Sequence, residues 1–268
     1  MLFALLMSLL AGLATSVGGA IVFARSHIPR RLMAVALAFA AGAMLLVSIG
    51  EILPKGITAL QDAFARPAAM AIAYTAFFVG IGLVLAIDRL LPKQLNPNET
   101  SGREGEVSDA ANQRQTNSLL RSGMLVAVVL ALHNFPEGMA TFSTTYSDPA
   151  LGMTLVTAIA IHNVPEGIAV AIPVYAATTS AKKGFWWATA SGLTEPLGGL
   201  LAAGLVAWVL PEYLFGLLYG LVAGMMVFLA LDELLPAAWR YQTDKHQTIY
   251  GMIGGLAVVA LSLVLFSL

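Results

Sequence analysis

The chain has no cysteine. That excludes a disulfide scaffold, a thiolate metal site and a thiol nucleophile. It is also poor in charge: Asp, Glu, Lys and Arg make up 11% of its 268 residues, against about 25% in a soluble domain. No basic run is present that would hold nucleic acid. The net charge of −1 selects no class of partner, although the placement of the charges is informative. What fills the chain is apolar, 58% of residues, in continuous runs rather than alternation. Such a chain belongs in lipid.

A helix needs roughly 20 residues to cross about 30 Å of hydrocarbon. Runs of that length fall at about 2–24, 32–53, 68–91, 122–146, 150–178, 185–210, 212–236 and 248–268. They predict an all-α integral membrane protein with eight transmembrane helices, because a helix satisfies its own backbone hydrogen bonds in lipid. A closed barrel would need alternating strands of about ten residues. The first run lacks a basic leader, and Arg25, Arg30 and Arg31 follow it, so it reads as a helix and not as a signal peptide.

Basic residues set the orientation. Arg25, Arg30, Arg31, Arg89, Lys93, Arg103, Arg114, Arg121, Lys182, Lys183, Arg240 and Lys245 fall in or beside the loops after the odd-numbered helices. Only Lys55 and Arg66 fall on the other side. The bias places both termini outside and the odd loops in the cytoplasm. The polar stretch at about 92–121 reads as a flexible cytoplasmic linker inside one transmembrane domain spanning 1–268. Trp186, Trp187, Trp208 and Trp239 fall near predicted helix ends, as interface anchors do.

The chain also repeats itself. Gly12, Leu13, Gly18 and Gly19 recur with the same internal spacing as Gly192, Leu193, Gly198 and Gly199. Gly42, Met44, Glu51 and Pro54 recur likewise as Gly224, Met226, Glu233 and Pro236. The alternating direction of the helices makes these repeats inverted, a 3+2+3 plan. Inverted repeats with a site between them are characteristic of transporters.

The strongest signal lies in the fourth and fifth runs. His133-Asn134-Phe135-Pro136-Glu137-Gly138 recurs one helix later as His162-Asn163-Val164-Pro165-Glu166-Gly167. On a helix, residues four apart, and nearly so those three apart, share a face. His133, Asn134 and Glu137 are therefore neighbours, as are His162, Asn163 and Glu166. Pro136 cannot donate to the carbonyl of Leu132, nor Pro165 to that of Ile161, which leaves carbonyl oxygens for a cavity or an ion. Glu195 adds a third acid inside the sixth run. A central acid costs about 2.5–3.5 kcal/mol on insertion scales, so three such groups need water, protons or a metal cation. Imidazole with carboxylates suits Zn²⁺, Fe²⁺, Mn²⁺ and Co²⁺, whereas oxygen alone suits Mg²⁺ or Ca²⁺. Three glutamates and two asparagines leave room for two carboxylate-bridged ions.

These residues resemble the Zrt/Irt-like (ZIP) family of divalent metal transporters, in its bacterial ZupT-like branch. The resemblance runs through 133–138, 162–167, 169–177, 191–199 and Asp232-Glu233-Leu234-Leu235-Pro236. It implies uptake of zinc and iron into the cytoplasm across a bacterial inner membrane, with manganese, cobalt or cadmium tolerated as substrates and no bound cofactor. It implies that His133, Glu137, His162 and Glu166 hold one ion, with Met44 as a soft ligand. Asn134, Glu137, Asn163, Glu166 and Glu195 would hold a second. It further implies a homodimer working by alternating access. Two departures stand out: 92–121 contains no histidine, so a loop metal sensor is not expected, and Asn163 is an amide where some members have an acid.

The competing expectations are chemical. An intramembrane zinc hydrolase would need zinc, a water and a glutamate base, but it explains neither the duplication nor the prolines. A metal-selective channel could use the same ligands. Met44 and Met226, taken alone, read as core filler. Glu51 and Glu233 lie at helix ends, as interfacial acids or as an entrance and an exit. His27 and His246 read as solvated loop residues.

Overall fold

The computed structural model describes residues 1–24, 28–90, 109–205 and 212–267. Every regular element among them is helical. The helices are α1 (Leu2–Gly19), α2 (Arg30–Val47), α3 (Leu53–Leu60), α4 (Arg66–Leu90), α5 (Asp109–Ser147), α6 (Pro149–Thr178), α7 (Ala181–Gly192), α8 (Thr194–Leu205), α9 (Glu212–Phe228), α10 (Leu235–Tyr241) and α11 (Gln247–Ser267). Seven described runs are long and apolar enough to cross a membrane: Leu2–Phe23, Arg30–Leu60, Arg66–Ile87, Gly123–Tyr146, Leu155–Thr178, Tyr213–Tyr241 and Gln247–Leu265. Large apolar side chains cover the outside, among them Leu13, Val17, Phe78, Leu83, Leu200 and Leu261. In water that surface would drive association; in hydrocarbon it is the ordinary exterior. The chain is an all-α integral membrane protein.

Several boundaries differ from the sequence expectation, each for a local reason. The run expected at 32–53 continues to Leu60, because a π-helical turn at Ser48–Ile52 leads directly into α3. The run expected at 212–236 continues to Tyr241 through a second π turn at Leu229–Leu234. Each wide turn precedes a proline, Pro54 or Pro236, in the first turn of the next helix. A proline cannot donate to the carbonyl four residues back, and a π turn is one way for a helix to pass that point unbroken. The run expected at 185–210 is two helices, α7 and α8, separated at Leu193. Pro196 follows and has no N–H for the carbonyl of Gly192. Of the expected linker at 92–121, residues 109–121 form the start of α5, and 92–108 lie outside the described residues, as do His27 and Trp208. Trp186 and Trp239 are more than half exposed near helix ends.

The helices pack in matched pairs. α11 lies along α2 and α4 along α9, while α1 lies along α6 and α8 along α5. Glycine permits close approach in these pairs. A Cβ on Gly42 would strike the carbonyl of Met252, and one on Gly255 the carbonyl of Phe39. On the other side, Gly224 meets the carbonyl of Phe77 and Gly80 that of Leu221. The two sets correspond in sequence: Phe39 and Gly42 have the spacing of Leu221 and Gly224, and Phe77 and Gly80 that of Met252 and Gly255. α1 and α7 cross where Gly12 and Gly192 face each other's carbonyls. The largest apolar cluster joins α2, α9 and the apolar faces of α5 and α6, and it includes Met44 and Met226.

Candidate metal site

Three helices bring the polar groups together. α5 carries His133, Asn134 and Glu137, α6 carries Asn163 and Glu166, and α8 carries Glu195 in its first turn. All six side chains are buried; Glu137, the most accessible, is 8% exposed. Groups of this kind are rarely buried without partners. His133 Nε2 lies 3.4 Å from Glu137 Oε2 and 3.2 Å from Glu166 Oε1. One imidazole thus faces carboxylates from two helices. Glu137 and Glu166 both lie within Coulombic range of Glu195, so three acids share one buried region. Among the described residues, no lysine or arginine pairs with Glu166 or Glu195.

The asparagines hold the backbone as well as the site. Asn134 Nδ2 donates to the carbonyl of Ser191 at 3.2 Å, and Asn163 Nδ2 to that of Ala11 at 2.9 Å. Ser191 precedes the break at Leu193, and its carbonyl also accepts from Thr194 Oγ1 at 2.6 Å. The side chains therefore satisfy a backbone acceptor at the point where the helix ends, as helix termini require. Asn163 Nδ2 donates in addition to Glu195 Oε2 at 2.8 Å. Glu195 sits where α8 begins, and the free N–H groups of a helix N-terminus favour an anion.

Close backbone contact fixes these helices relative to one another. A Cβ on Gly138 would strike the carbonyl of Glu195, and one on Gly167 the carbonyl of Thr15. Each glycine is the last residue of its copy of the duplicated phrase. The phrase thus supplies both the polar groups and the small residue that lets a partner helix approach them.

Several oxygen atoms remain for a ligand. Among the described residues, Glu166 Oε2, Glu195 Oε1, Asn134 Oδ1 and Asn163 Oδ1 have no hydrogen-bond partner. Leaving buried carboxylate oxygens in that state is expensive, and a cation in reach of them removes the cost. Among the described residues, no three acids or histidines are grouped so as to hold a metal ion.

The sequence-predicted residues are distributed as follows. His133, Glu137 and Glu166 are neighbours, and Asn163 is bonded to Glu195. Asn134 is anchored to Ser191. Met44 is buried in the large apolar cluster on α2, which packs along α6. The backbone of His162 belongs to α6, and its side chain lies outside the described residues. Sequence reasoning misses Thr15, whose buried Oγ1 has no hydrogen-bond partner among the described residues. It also misses the carbonyls of Ala11 and Ser191. A signal is available: Thr15 corresponds to Glu195, and Ala11 to Ser191, by the same register that matches Gly12 with Gly192.

A many-helix membrane protein that buries imidazole and carboxylates together, with no basic side chain paired with Glu166 or Glu195 among the described residues, offers donors that suit a cation. Comparison with known proteins gives the family. The ZIP Zinc transporter family matches residues 90–263, and the chain belongs to that family. It is 45% identical over 265 residues to the zinc transporter ZupT of Corynebacterium aurimucosum, covering 98% of this chain and 97% of that one. It is 47% identical over 268 residues to the zinc transporter ZupT of Corynebacterium glutamicum, covering 99% and 100%. It is 43% identical over 263 residues to the zinc transporter ZupT of Streptococcus mutans, covering 98% and 97%. Membership places the chain among metal transporters and not among enzymes, which removes the hydrolase expectation.

Proposed function

We propose that the protein takes up zinc into the cytoplasm, with iron as a second substrate and manganese, cobalt or cadmium tolerated. The relatives named above are described as zinc transporters, and the donor set of imidazole, carboxylate and amide suits first-row divalent ions. The observation that carries the reading is the buried cluster of His133, Glu137, Glu166 and Glu195, drawn from three helices. His133, Glu137, His162 and Glu166 hold one ion. Asn134, Asn163 and Glu195 complete a second position with Glu137 and Glu166 as bridges. Met44 is a soft ligand to the first ion.

The proposed architecture is eight membrane-spanning segments in a 3+2+3 inverted repeat, with α7 and α8 together forming the sixth segment. The matched glycine contacts support it, since both partners of each contact have counterparts in the other half, α2 in α9 by one register and α4 in α11 by another. The duplicated phrase lies near the centre of the run Gly123–Tyr146, which favours a site near the bilayer midplane. Both termini lie outside the cytoplasm, as the basic residues suggest, in a bacterial inner membrane. The whole chain is one transport domain working as a homodimer by alternating access.

Replacing Glu137 or Glu166 by Ala tests the site. In reconstituted vesicles each variant should lose radiolabelled zinc uptake while keeping the helical signal of the native protein. Wild-type uptake by both variants would refute the assignment.

A further inference from the structure

Hydroxyls in these helices are commonly spent on their own backbone. Thr58, Thr75, Thr145, Thr157 and Thr178 each donate to the carbonyl four residues back. Thr15 does not. It is fully buried, and its Oγ1 has no hydrogen-bond partner among the described residues. The carbonyl four residues back, that of Ala11, accepts from Asn163 instead. A buried hydroxyl in that state is costly unless a ligand meets it.

Three contacts fix where Thr15 stands. Asn163 donates to the Ala11 carbonyl as Asn134 donates to that of Ser191. Gly167 meets the Thr15 carbonyl as Gly138 meets that of Glu195. A Cβ on Gly192 would lie 2.7 Å from Thr15 Cβ, and one on Gly12 would lie 3.3 Å from Glu195 Cβ. Each contact maps onto its counterpart in the other repeat, so Thr15 holds on α1 the place that Glu195 holds on α8. One bond does not carry over. Asn163 donates to Glu195 Oε2, whereas among the described residues no hydrogen bond joins Asn134 to Thr15. Thr15 Oγ1 and Asn134 Oδ1 are both left for a ligand.

Resting on the transport reading above, we infer that Thr15 is a specificity-determining ligand, a neutral oxygen donor to the second ion from across Glu195. With it the second position draws on six oxygen-bearing side chains in three matched pairs: Asn134 with Asn163, Glu137 with Glu166, and Thr15 with Glu195. Oxygen donors without imidazole suit a harder ion, Mn²⁺, better than they suit Zn²⁺. The first position includes histidine and keeps the preference for zinc. The hydroxyl therefore matters more to manganese than to zinc.

The test measures equilibrium binding of radiolabelled manganese and zinc to the purified full-length protein. Thr15→Val keeps the shape and removes the hydroxyl. Thr15→Ala removes it with less bulk beside Gly192, and serves if the valine variant does not fold. Thr15→Ser keeps the hydroxyl. Manganese affinity should fall about tenfold or more in the valine and alanine variants, and zinc affinity less than about threefold, while serine holds both within about threefold of the native protein. Manganese affinity that survives loss of the hydroxyl, an equal or larger fall for zinc, or a fall that serine shares would overturn the assignment. So would a native protein that binds zinc but no manganese. Failure of the transport reading looks different: the native protein would then bind neither ion, or Glu137→Ala would leave zinc uptake intact.

Discussion

The two copies of the duplicated phrase meet unequal partners. Gly167 of the second copy rests on the carbonyl of Thr15, while Gly138 of the first rests on that of Glu195. Asn163 reaches Ala11, while Asn134 reaches Ser191. The backbone contacts correspond pair by pair along the two repeats, but the side chains do not: a hydroxyl stands where the other side has a carboxylate. The lesson is that the contacts which set helix spacing tolerate no divergence, because a Cβ in either place would strike a carbonyl. The side chains beside those contacts are free to differ, as Thr15 and Glu195 do.

Making the two sides alike is the sharpest way to break the comparison. Glu195→Thr gives the second partner the hydroxyl of the first. It should lower metal affinity by about 10–100-fold, the size expected when a metal site loses a ligand or its support, as read by zinc titration of the purified protein. Affinity within about twofold of the native protein would show that the difference between Thr15 and Glu195 carries no weight at the site.

Proton competition sharpens the same comparison. An unperturbed histidine titrates near about pH 6.5, and only the neutral ring ligates a metal. Protons compete with the metal for the ring nitrogen, so affinity falls as the solution becomes more acid, approaching about tenfold per pH unit for each ligating histidine once the metal-free ring is mostly protonated. Zinc affinity measured between about pH 7 and 5 should have its slope reduced in His133→Gln and reduced equally in His162→Gln, if both copies ligate. A slope unchanged by either substitution removes that histidine from the ligand set.

The glycines test the contacts that the two copies share. Gly138→Ala and Gly167→Ala each push a methyl into a partner backbone, and overpacking of this kind costs about 1–3 kcal/mol. Both variants should lose stability by similar amounts in thermal unfolding in detergent, since the two contacts are alike. A neutral result for one alone would show that only the other contact is tight.

The apolar runs and the duplicated phrase are legible in the sequence because both are local. Length and composition alone identify a helix in lipid, and residues four apart are bound to share its face. The contacts between distant segments are legible only in part. The glycines of α1 and α8 can be matched by their common spacing, but Gly80 and Gly255 stand in featureless apolar sequence, where nothing marks them until Leu221 and Phe39 are seen against them. The break at Leu193 is hidden because a single apolar run covers both α7 and α8, although Pro196 marks the place. The π turns are hidden for a related reason: proline signals that the i to i−4 ladder fails, without saying whether the helix kinks, ends or widens. The roles of Asn134 and Asn163 as donors to Ser191 and Ala11 depend on helices far away in sequence, and no local pattern reports them.

The crossing of α1 and α7 at Gly12 and Gly192 has a consequence for motion. Where larger residues meet, helices interlock through side chains that must be lifted out of one groove before they can enter the next. Here the two glycines face each other's carbonyls with the side chains of Thr15, Glu195 and Pro196 packed beside them, so the two rods bear on each other chiefly through backbone. Any valine or leucine introduced there would be a wedge, since its Cβ alone would strike the opposite carbonyl.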